Sequence, residues 1–280
     1  MKEIFSFKRF TLLLKKHLQE EYRYYLLQAI SAFGIMFVLN LLTTLNSLNE
    51  PFDSKMHEVL FIAGFVLGGS IFASLTYHSF QNNAKGIRFL QLPASPLEKL
   101  LVMFVVCQLI FAAGFLVIFY LNDWLMITIY NTVSKPPAGV PAERLQFYHA
   151  ELFDLTTGSN QQALPAQQSI VLFLVLSSIM HFCSLVFQKL AFIKTALYIV
   201  FVGGIIYWLN FTLLKSAIHE TNMPGGKFFS ESIRLGENDT IRGFVILPDQ
   251  WKDTIRIVLP GVLYLSFWTA SYFKLKEKQI

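Results

Sequence analysis

The chain has 280 residues, of which 54% are hydrophobic and 15% are charged. A soluble domain carries about one quarter charged residues, so this chain has more apolar side chains than a water-facing globule can bury. The apolar residues come in runs about as long as a bilayer is thick, which indicates an α-helical integral membrane protein. The net charge of +5 does not indicate nucleic-acid binding, because no basic cluster is interleaved with aromatic residues.

The first 23 residues mix apolar and charged side chains at a helical spacing. Phe10, Leu14 and Leu18 lie among basic residues such as Lys8 and Lys15, which predicts an amphipathic helix in the headgroup layer with its basic face towards anionic lipid. A solvated helix that precedes the first span would show the same residues. No short apolar stretch with a cleavage site follows the opening charges, so we expect the first span to be retained.

Six apolar segments follow, each close to the ~20 residues that cross a bilayer. We therefore predict an all-α polytopic membrane protein with a single transmembrane domain over residues 1–280. Its parts are an interfacial helix at 1–23 and spans near 24–45, 59–77, 100–121, 169–187, 195–214 and 257–275.

The distribution of Lys and Arg predicts the orientation. The segments 1–23, 78–99 and 188–194 are short and basic, as is the tail, which places them and both termini in the cytoplasm. Two long outer loops, 131–168 and 215–256, then face the other side of the inner (plasma) membrane.

A polar segment at 78–99 separates the second and third spans. Ser95 fits an N-cap, Pro96 fits the first helical position, and Glu98 completes a capping box with Ser95. The segment therefore starts a new helix and is the expected docking surface for a soluble partner. Its expected contact residues are Lys85, Arg88, Ser95, Glu98 and Lys99.

The sequence carries no pattern typical of catalysis or of cofactor binding. It has no phosphate-binding GxxxxGK[ST] loop, no His pair at metal-ligand spacing and no Gly-x-Ser-x-Gly nucleophile turn. Cys107 and Cys183 lie in apolar runs and are expected to pack as small hydrophobic residues. We therefore expect a protein that is not an enzyme, with no cofactor of its own and ATP used only through a partner subunit.

Two features inside the spans have alternative interpretations. His181 is an ionisable residue at membrane depth, which makes it a functional candidate, while an interhelical hydrogen bond is the simpler role. Gly64 and Gly68 form a GxxxG pattern that allows another helix to approach closely. That helix could belong to the same protomer or to a second copy in a dimer.

This layout resembles the membrane subunits of ABC-2-type transporters, with an amphipathic N-terminal helix, six spans and a polar loop between spans two and three. The most specific part is the stretch 88–99, RFLQLPASPLEK, which is similar to the Leu-Pro-[small]-Ser/Thr…Glu turn before the third span of such permeases. The resemblance covers nearly the whole chain in layout and only this stretch in motif. The loop 131–168 is longer than the corresponding connection in that family.

The resemblance implies that 78–99 sits on a separate ABC-type ATPase subunit. It also implies a homodimer or heterodimer of membrane subunits that moves a substrate across or out of the inner membrane. The alternative is a non-transporting scaffold or accessory subunit of a cell-envelope complex, whose outer loops hold a periplasmic partner.

Overall fold

The computed structural model describes residues 5–46, 54–77, 83–134, 148–153, 166–187, 190–218, 232–235, 243–246 and 249–278. These parts of the chain are predominantly helical, which confirms the predicted helical class. The elements in chain order are α1 (Phe7–Asn46), α2 (Ser54–Leu75), α3 (Asn83–Leu90), α4 (Pro96–Phe104), a π-helical segment (Val105–Ile110), α5 (Phe111–Val133), α6 (Ala166–Val186), α7 (Ala191–Ile218), β1 (Ser232–Leu235), β2 (Gly243–Ile246) and α8 (Asp249–Glu277).

Five helical segments are long and apolar enough to cross a membrane. They are Phe7–Leu45, His57–Leu75, Pro96–Val133, Gln168–Val186 and Ala191–Leu209. The sixth predicted span, 257–275, lies within α8. Among the described residues, α8 is not one of the five helices that are long and apolar enough to cross a membrane. The structure therefore supports a membrane protein, while the six-span topology stays a prediction.

Helix α1 joins the two N-terminal elements that the sequence predicted separately. It runs without a break through 40 residues, so the amphipathic segment and the first span are one helix. Leu13 in its N-terminal half is buried against Val102 and Val106. The side of this half that carries Leu13 thus packs on α4 and the π-helical segment, while Phe7 and Leu12 are exposed, so the interfacial position stays a prediction.

The third span is part of a much longer helix than predicted. The segments α4, π and α5 follow one another directly over the 38 residues of Pro96–Val133. At about 1.5 Å per residue this is about 56 Å, roughly twice the length of the 19-residue apolar segment of α2. The long helix therefore extends beyond α2 at both ends.

Phenylalanine side chains fill the centre of the bundle between α2, α5 and α6. The ring of Phe61 lies 5.0 Å from that of Phe119, and the ring of Phe65 lies 4.4 Å from that of Phe173. Closer to α3, the ring of Phe72 lies 5.2 Å from that of Phe111. Ring pairs at these separations add favourable contact energy to the burial of a large apolar area.

The first and last described residues of the chain lie at the same end of the bundle, which we call the basal end because α3 lies there. A cluster of buried side chains from four helices and the turn after α2 closes this end, formed by Tyr77, Phe89, Met103, Leu185 and Leu275. Ser6, just before α1, bonds to the start of α4, and Lys278, just after α8, donates to the Leu185 carbonyl at 2.6 Å. Burial lowers the pKa of Lys278.

A short antiparallel hairpin lies in the chain between α7 and α8. Strands β1 and β2 pair in the register Ser232 to Ile246 and Leu235 to Gly243. The sequence patterns did not predict this hairpin within the outer loop 215–256.

Candidate functional site

The basal segment from α3 to the start of α4 contains the predicted capping box. The Ser95 hydroxyl accepts a hydrogen bond from the Glu98 N–H at 3.1 Å, and a Glu98 carboxylate oxygen accepts one from the Ser95 N–H at 2.8 Å. Pro96 occupies the first turn, where its missing N–H costs nothing. The predicted helix start is confirmed.

Glu98 also ties the start of α1 to the start of α4. Its second carboxylate oxygen accepts the Ser6 N–H at 2.7 Å and the Arg9 side-chain Nε at 3.1 Å. The Glu98 side chain is fully buried, while Arg9 is 40% exposed. One carboxylate therefore joins two helix starts that are 92 residues apart in sequence.

Lys99 is also buried, and it fixes α3. Its ammonium group donates to the Leu90 carbonyl at 2.7 Å and lies 5.8 Å from the centre of the Phe89 ring. A cation at this position satisfies a carbonyl that the end of a helix leaves without a partner. Lys99 therefore holds the end of α3 against the start of α4.

The predicted contact residues thus separate into two groups. A side chain that is fully buried cannot touch a partner, so Glu98 and Lys99 position the segment rather than meet another protein. Arg88 is exposed and pairs with Glu20 of α1 at 2.9 Å. The side chain of Lys85 lies outside the described residues.

The outward face of this segment mixes apolar and polar side chains. Ile87 is 54% exposed, and its neighbours Arg88, Gln91 and Pro93 are exposed as well. Because Phe89 faces inward while Ile87 and Arg88 face outward, α3 is amphipathic. We call the exposed face formed by Ile87, Arg88, Gln91 and Pro93 the basal surface.

The glycines of α2 face phenylalanine rings of the same protomer. A Cβ on Gly64 would lie 3.1 Å from the Phe115 ring, and one on Gly69 would lie 2.3 Å from the Phe173 ring. A Cβ on Gly68 would lie 3.7 Å from the Phe111 ring. The GxxxG pattern therefore serves packing within one copy, which was one of its two predicted roles.

His181 of α6 is fully buried near the basal end. Its ring stacks on Trp268 of α8 at 4.4 Å and lies 5.0 Å from the Tyr77 ring. Neither ring nitrogen has a hydrogen-bond partner among the described residues. The expected interhelical hydrogen bond is therefore not formed, and ring stacking takes its place.

A polar cluster at the opposite, distal end was missed by the sequence analysis. His57 of α2 bonds through Nδ1 to the Asp123 carboxylate of α5, and both side chains are buried. Beside them, the Asn40 amide of α1 donates to Asn122 at 2.8 Å. The sequence does contain a sign of this cluster, since the polar residues Asn122 and Asp123 interrupt an apolar run that continues to Tyr130.

The distal cluster also fixes residues 148–153, which we call the strap. The Phe153 N–H donates to Asp123 at 3.0 Å, and the Asn131 amide exchanges two hydrogen bonds with the Ala150 backbone at 2.9 and 3.2 Å. The Phe153 ring packs 5.3 Å from Phe61. The strap is thus held across the ends of α2 and α5, with His149, Glu151 and Leu152 exposed.

The described residues contain no group of three His, Cys, Asp or Glu side chains able to hold a metal ion. No protein-family model matches the chain, and no curated protein or solved structure is significantly similar to it.

Proposed function

We propose that the chain is the permease subunit of a transporter of the ABC-2 type, working with a separate cytoplasmic ATPase. In this proposal the chain crosses the inner membrane six times, with α8 as the sixth span and both termini in the cytoplasm. The substrate class is left open. The observation that carries the proposal is the attachment of α3, through the buried Lys99, to the long helix that starts at Pro96.

The attachment suits the transmission of movement. A push on the basal surface acts on α3, which is tied to the start of α4 through Lys99 and to α1 through Arg88. The satisfied cap at Ser95 keeps the first turn of the long helix from fraying. Movement at the basal surface would therefore reach the whole length of Pro96–Val133, and rocking of helices is how transporters alternate access.

The energy source would be another protein. The sequence has no phosphate-binding loop, so ATP hydrolysis belongs to a partner subunit that meets the basal surface. Two ATPase subunits normally act together in transporters of this type, which favours two membrane subunits in the complex. We propose a homodimer or a heterodimer on this ground.

Co-purification tests the proposal. The tagged chain is isolated in mild detergent, and an ATPase with a cassette-type nucleotide site is sought by mass spectrometry. Ile87→Asp and Arg88→Glu should reduce recovery of the ATPase, because both side chains lie on the basal surface. Lys276→Glu, which removes an exposed basic residue at the same end, is the matched control and should leave recovery unchanged.

The proposal is rejected if no such ATPase is recovered with the unmodified chain. It is also rejected if the two basal variants retain the ATPase as well as the control does. A stability measurement on each variant separates loss of docking from loss of folding.

A second candidate is a non-transporting accessory subunit of an envelope complex, and the strap favours it. Three partly buried hydrogen bonds fix its backbone, while His149, Glu151 and Leu152 are exposed, which is suitable for presenting a contact surface. Glu151→Lys and Leu152→Asp should release an outer partner while the ATPase, if present, stays bound. An unchanged set of outer partners would count against this candidate.

A further inference from the structure

The long helix Pro96–Val133 contains one π-helical turn, Val105–Ile110, between α4 and α5. The Phe111 N–H donates to the Val106 carbonyl, five residues earlier, where an α-helix would use the carbonyl four residues earlier. The turn therefore holds about one residue more than an α-helical turn does. Such turns are rare, and they occur frequently at functional sites.

Separate anchors hold the long helix on either side of this π turn. Glu98 and Lys99 fix α4 at the basal end, while Phe111 and Phe115 pack against rings of α2 and α6 beyond the turn. The turn itself contains no proline and no glycine, the residues that commonly bend a helix. The π turn is thus placed where two separately packed parts of the bundle meet.

Gln108 lies in the π turn, and its buried side chain is bonded at one end only. Its Nε2 donates to the Ser177 hydroxyl of α6 at 2.9 Å, while its Oε1 has no partner among the described residues. The Ser177 hydroxyl donates in turn to the Leu174 carbonyl at 3.1 Å, so it stays bonded without Gln108. A buried amide oxygen without a donor is unfavourable, so an arrangement that bonds both ends of the amide would compete with this one.

Two rings with unpaired polar groups lie about one helical turn away, towards the basal end. Phe104 precedes Gln108 by four residues, and its ring lies 5.1 Å from that of Trp268 in α8. His181 follows Ser177 by four residues in α6, and its ring stacks on Trp268. The Trp268 indole N–H and both His181 ring nitrogens are buried without a partner among the described residues. Since a neutral imidazole has one acceptor nitrogen, the two rings together have the donor and the acceptor that an amide needs.

We propose that the π turn is a switch between two arrangements of the long helix, in which the Gln108 amide exchanges Ser177 for Trp268 and His181. In the second arrangement the Gln108 Oε1 accepts from the Trp268 indole N–H, and its Nε2 donates to a His181 nitrogen. Movement of the extra residue along the helix gives the displacement, because a shift by one residue turns the side chains that it passes by about 100°. The α4 segment, and with it the basal surface, would then leave α5 in a new direction.

The switch is a property of the bundle and does not depend on an ATPase at the basal surface. Under the proposed function, it would determine how a movement of α4 reaches α5.

Fluorine NMR at Trp268 tests the proposal. The full chain is labelled with fluorotryptophan in mild detergent, and the Trp268 resonance is assigned from its loss in Trp268→Phe. We expect two Trp268 resonances, or one at their average if exchange is fast. Ser177→Ala removes the partner of the first arrangement and should raise the ratio of second to first about fivefold, which equals about 1 kcal/mol. Gln108→Leu has no amide to exchange and should leave only the resonance of the first arrangement.

Deletion of Leu109 connects the switch to the π turn. Leu109 is 58% exposed, and its removal takes away the extra residue, so the long helix can become α-helical while both flanks keep their packing. One Trp268 resonance is expected, with Tm unchanged or raised. Leu109→Ala keeps the number of residues and should keep the exchange. Deletion of Leu121, which is 50% exposed but lies in α5, should lower Tm strongly, because it turns the buried residues beyond it by about 100°.

Several outcomes would overturn the proposal. One is a single Trp268 resonance with the same shift in the unmodified protein, in Ser177→Ala and in Gln108→Leu. Another is exchange that persists in Gln108→Leu or after deletion of Leu109. Unfolding by deletion of Leu109 as severe as that by deletion of Leu121 would show that the turn holds no extra residue. ATPase recovery enters none of these measurements, so failure here is distinguishable from failure of the proposed function.

Discussion

Replacing Glu98 by Gln removes a buried charge and keeps the size of the side chain. The carboxylate accepts hydrogen bonds from three donors, the Ser6 N–H, the Arg9 Nε and the Ser95 N–H. An amide offers one acceptor oxygen, and its NH₂ group would face a donor. If the oxygen stays with Ser6 and Arg9, the NH₂ group meets the Ser95 N–H and breaks the capping box.

The size of the loss follows from these contacts. A hydrogen bond to a charged group contributes about 1.5–3 kcal/mol, and its loss leaves the Ser95 donor without an acceptor. The lost attraction to Arg9 adds no more than about 1 kcal/mol, because Arg9 is 40% exposed and solvent screens it. We therefore expect Glu98→Gln to lower the free energy of unfolding by about 2–4 kcal/mol.

Thermal unfolding in detergent measures this change. At about 2–3 °C per kcal/mol, Glu98→Gln should lower Tm by about 5–10 °C. Trypsin should also cut at Lys8 and Arg9 more quickly, because the start of α1 loses its anchor. Glu20→Gln is the matched control, since Glu20 also pairs with an arginine but is 46% exposed, and it should cost about 0–1 kcal/mol. Equal Tm values for the two variants would refute the idea that Glu98 joins the helix starts.

Substitutions at three further positions, Gly69, His181 and Asp123, test the packing of the bundle. Gly69→Ala should lower Tm, with a loss of about 1–3 kcal/mol in the free energy of unfolding, because its Cβ would overlap the Phe173 ring. A Cβ on Gly203 would have no atom within 4 Å, so Gly203→Ala should leave Tm unchanged or raise it. His181→Phe should keep the Tm of the unmodified protein, since it keeps the ring stack and removes two nitrogens without partners. His181→Ala should lower the free energy of unfolding by about 3 kcal/mol, because it leaves a cavity. Asp123→Asn should loosen the strap by weakening the bonds to His57 and to the Phe153 N–H. In the Asp123→Asn variant, a cysteine introduced at the buried residue 150 should react faster with a water-soluble thiol reagent than the same cysteine does when Asp123 is unchanged.

Features that depend on a few neighbouring residues could be predicted from the sequence. The capping box needs only Ser95, Pro96 and Glu98, and the chemistry of a helix start is the same wherever the helix goes. The apolar helices were likewise predicted from their length, because a bilayer sets that length. The burial of Glu98 could not be predicted in this way, because it depends on how the start of α1 packs against the start of α4.

Features that depend on pairing between distant residues were missed. His57 and Asp123 are 66 residues apart, and nothing in the local sequence of either shows that α2 and α5 bring them together. The third span was expected near 100–121, which leaves Asp123 just beyond its end. The α5 segment instead continues to Val133, since no proline or glycine interrupts it after Asn122.

The distribution of polar groups along the bundle limits how a cargo would cross it. His57, Asp123 and Asn122 lie at the distal end, and His181 lies near the basal end. Between them lie phenylalanine rings that are almost fully buried and that pack against Gly64 and Gly69. A buried hydrogen bond from the Gln108 amide to the Ser177 hydroxyl at 2.9 Å lies between these rings and His181.

A polar group forced through this core would lose its hydrogen bonds to water, at a cost of several kcal/mol for each group, and it would separate the ring pairs. Among the described residues, the middle of one copy is therefore closed by packed side chains and contains no open polar channel. A transporter built from this chain would move polar cargo between two copies, or apolar cargo along the lipid-facing side of the helices. Under the proposed function, the basal surface and the long helix from Pro96 to Val133 would be the parts that change the spacing between copies.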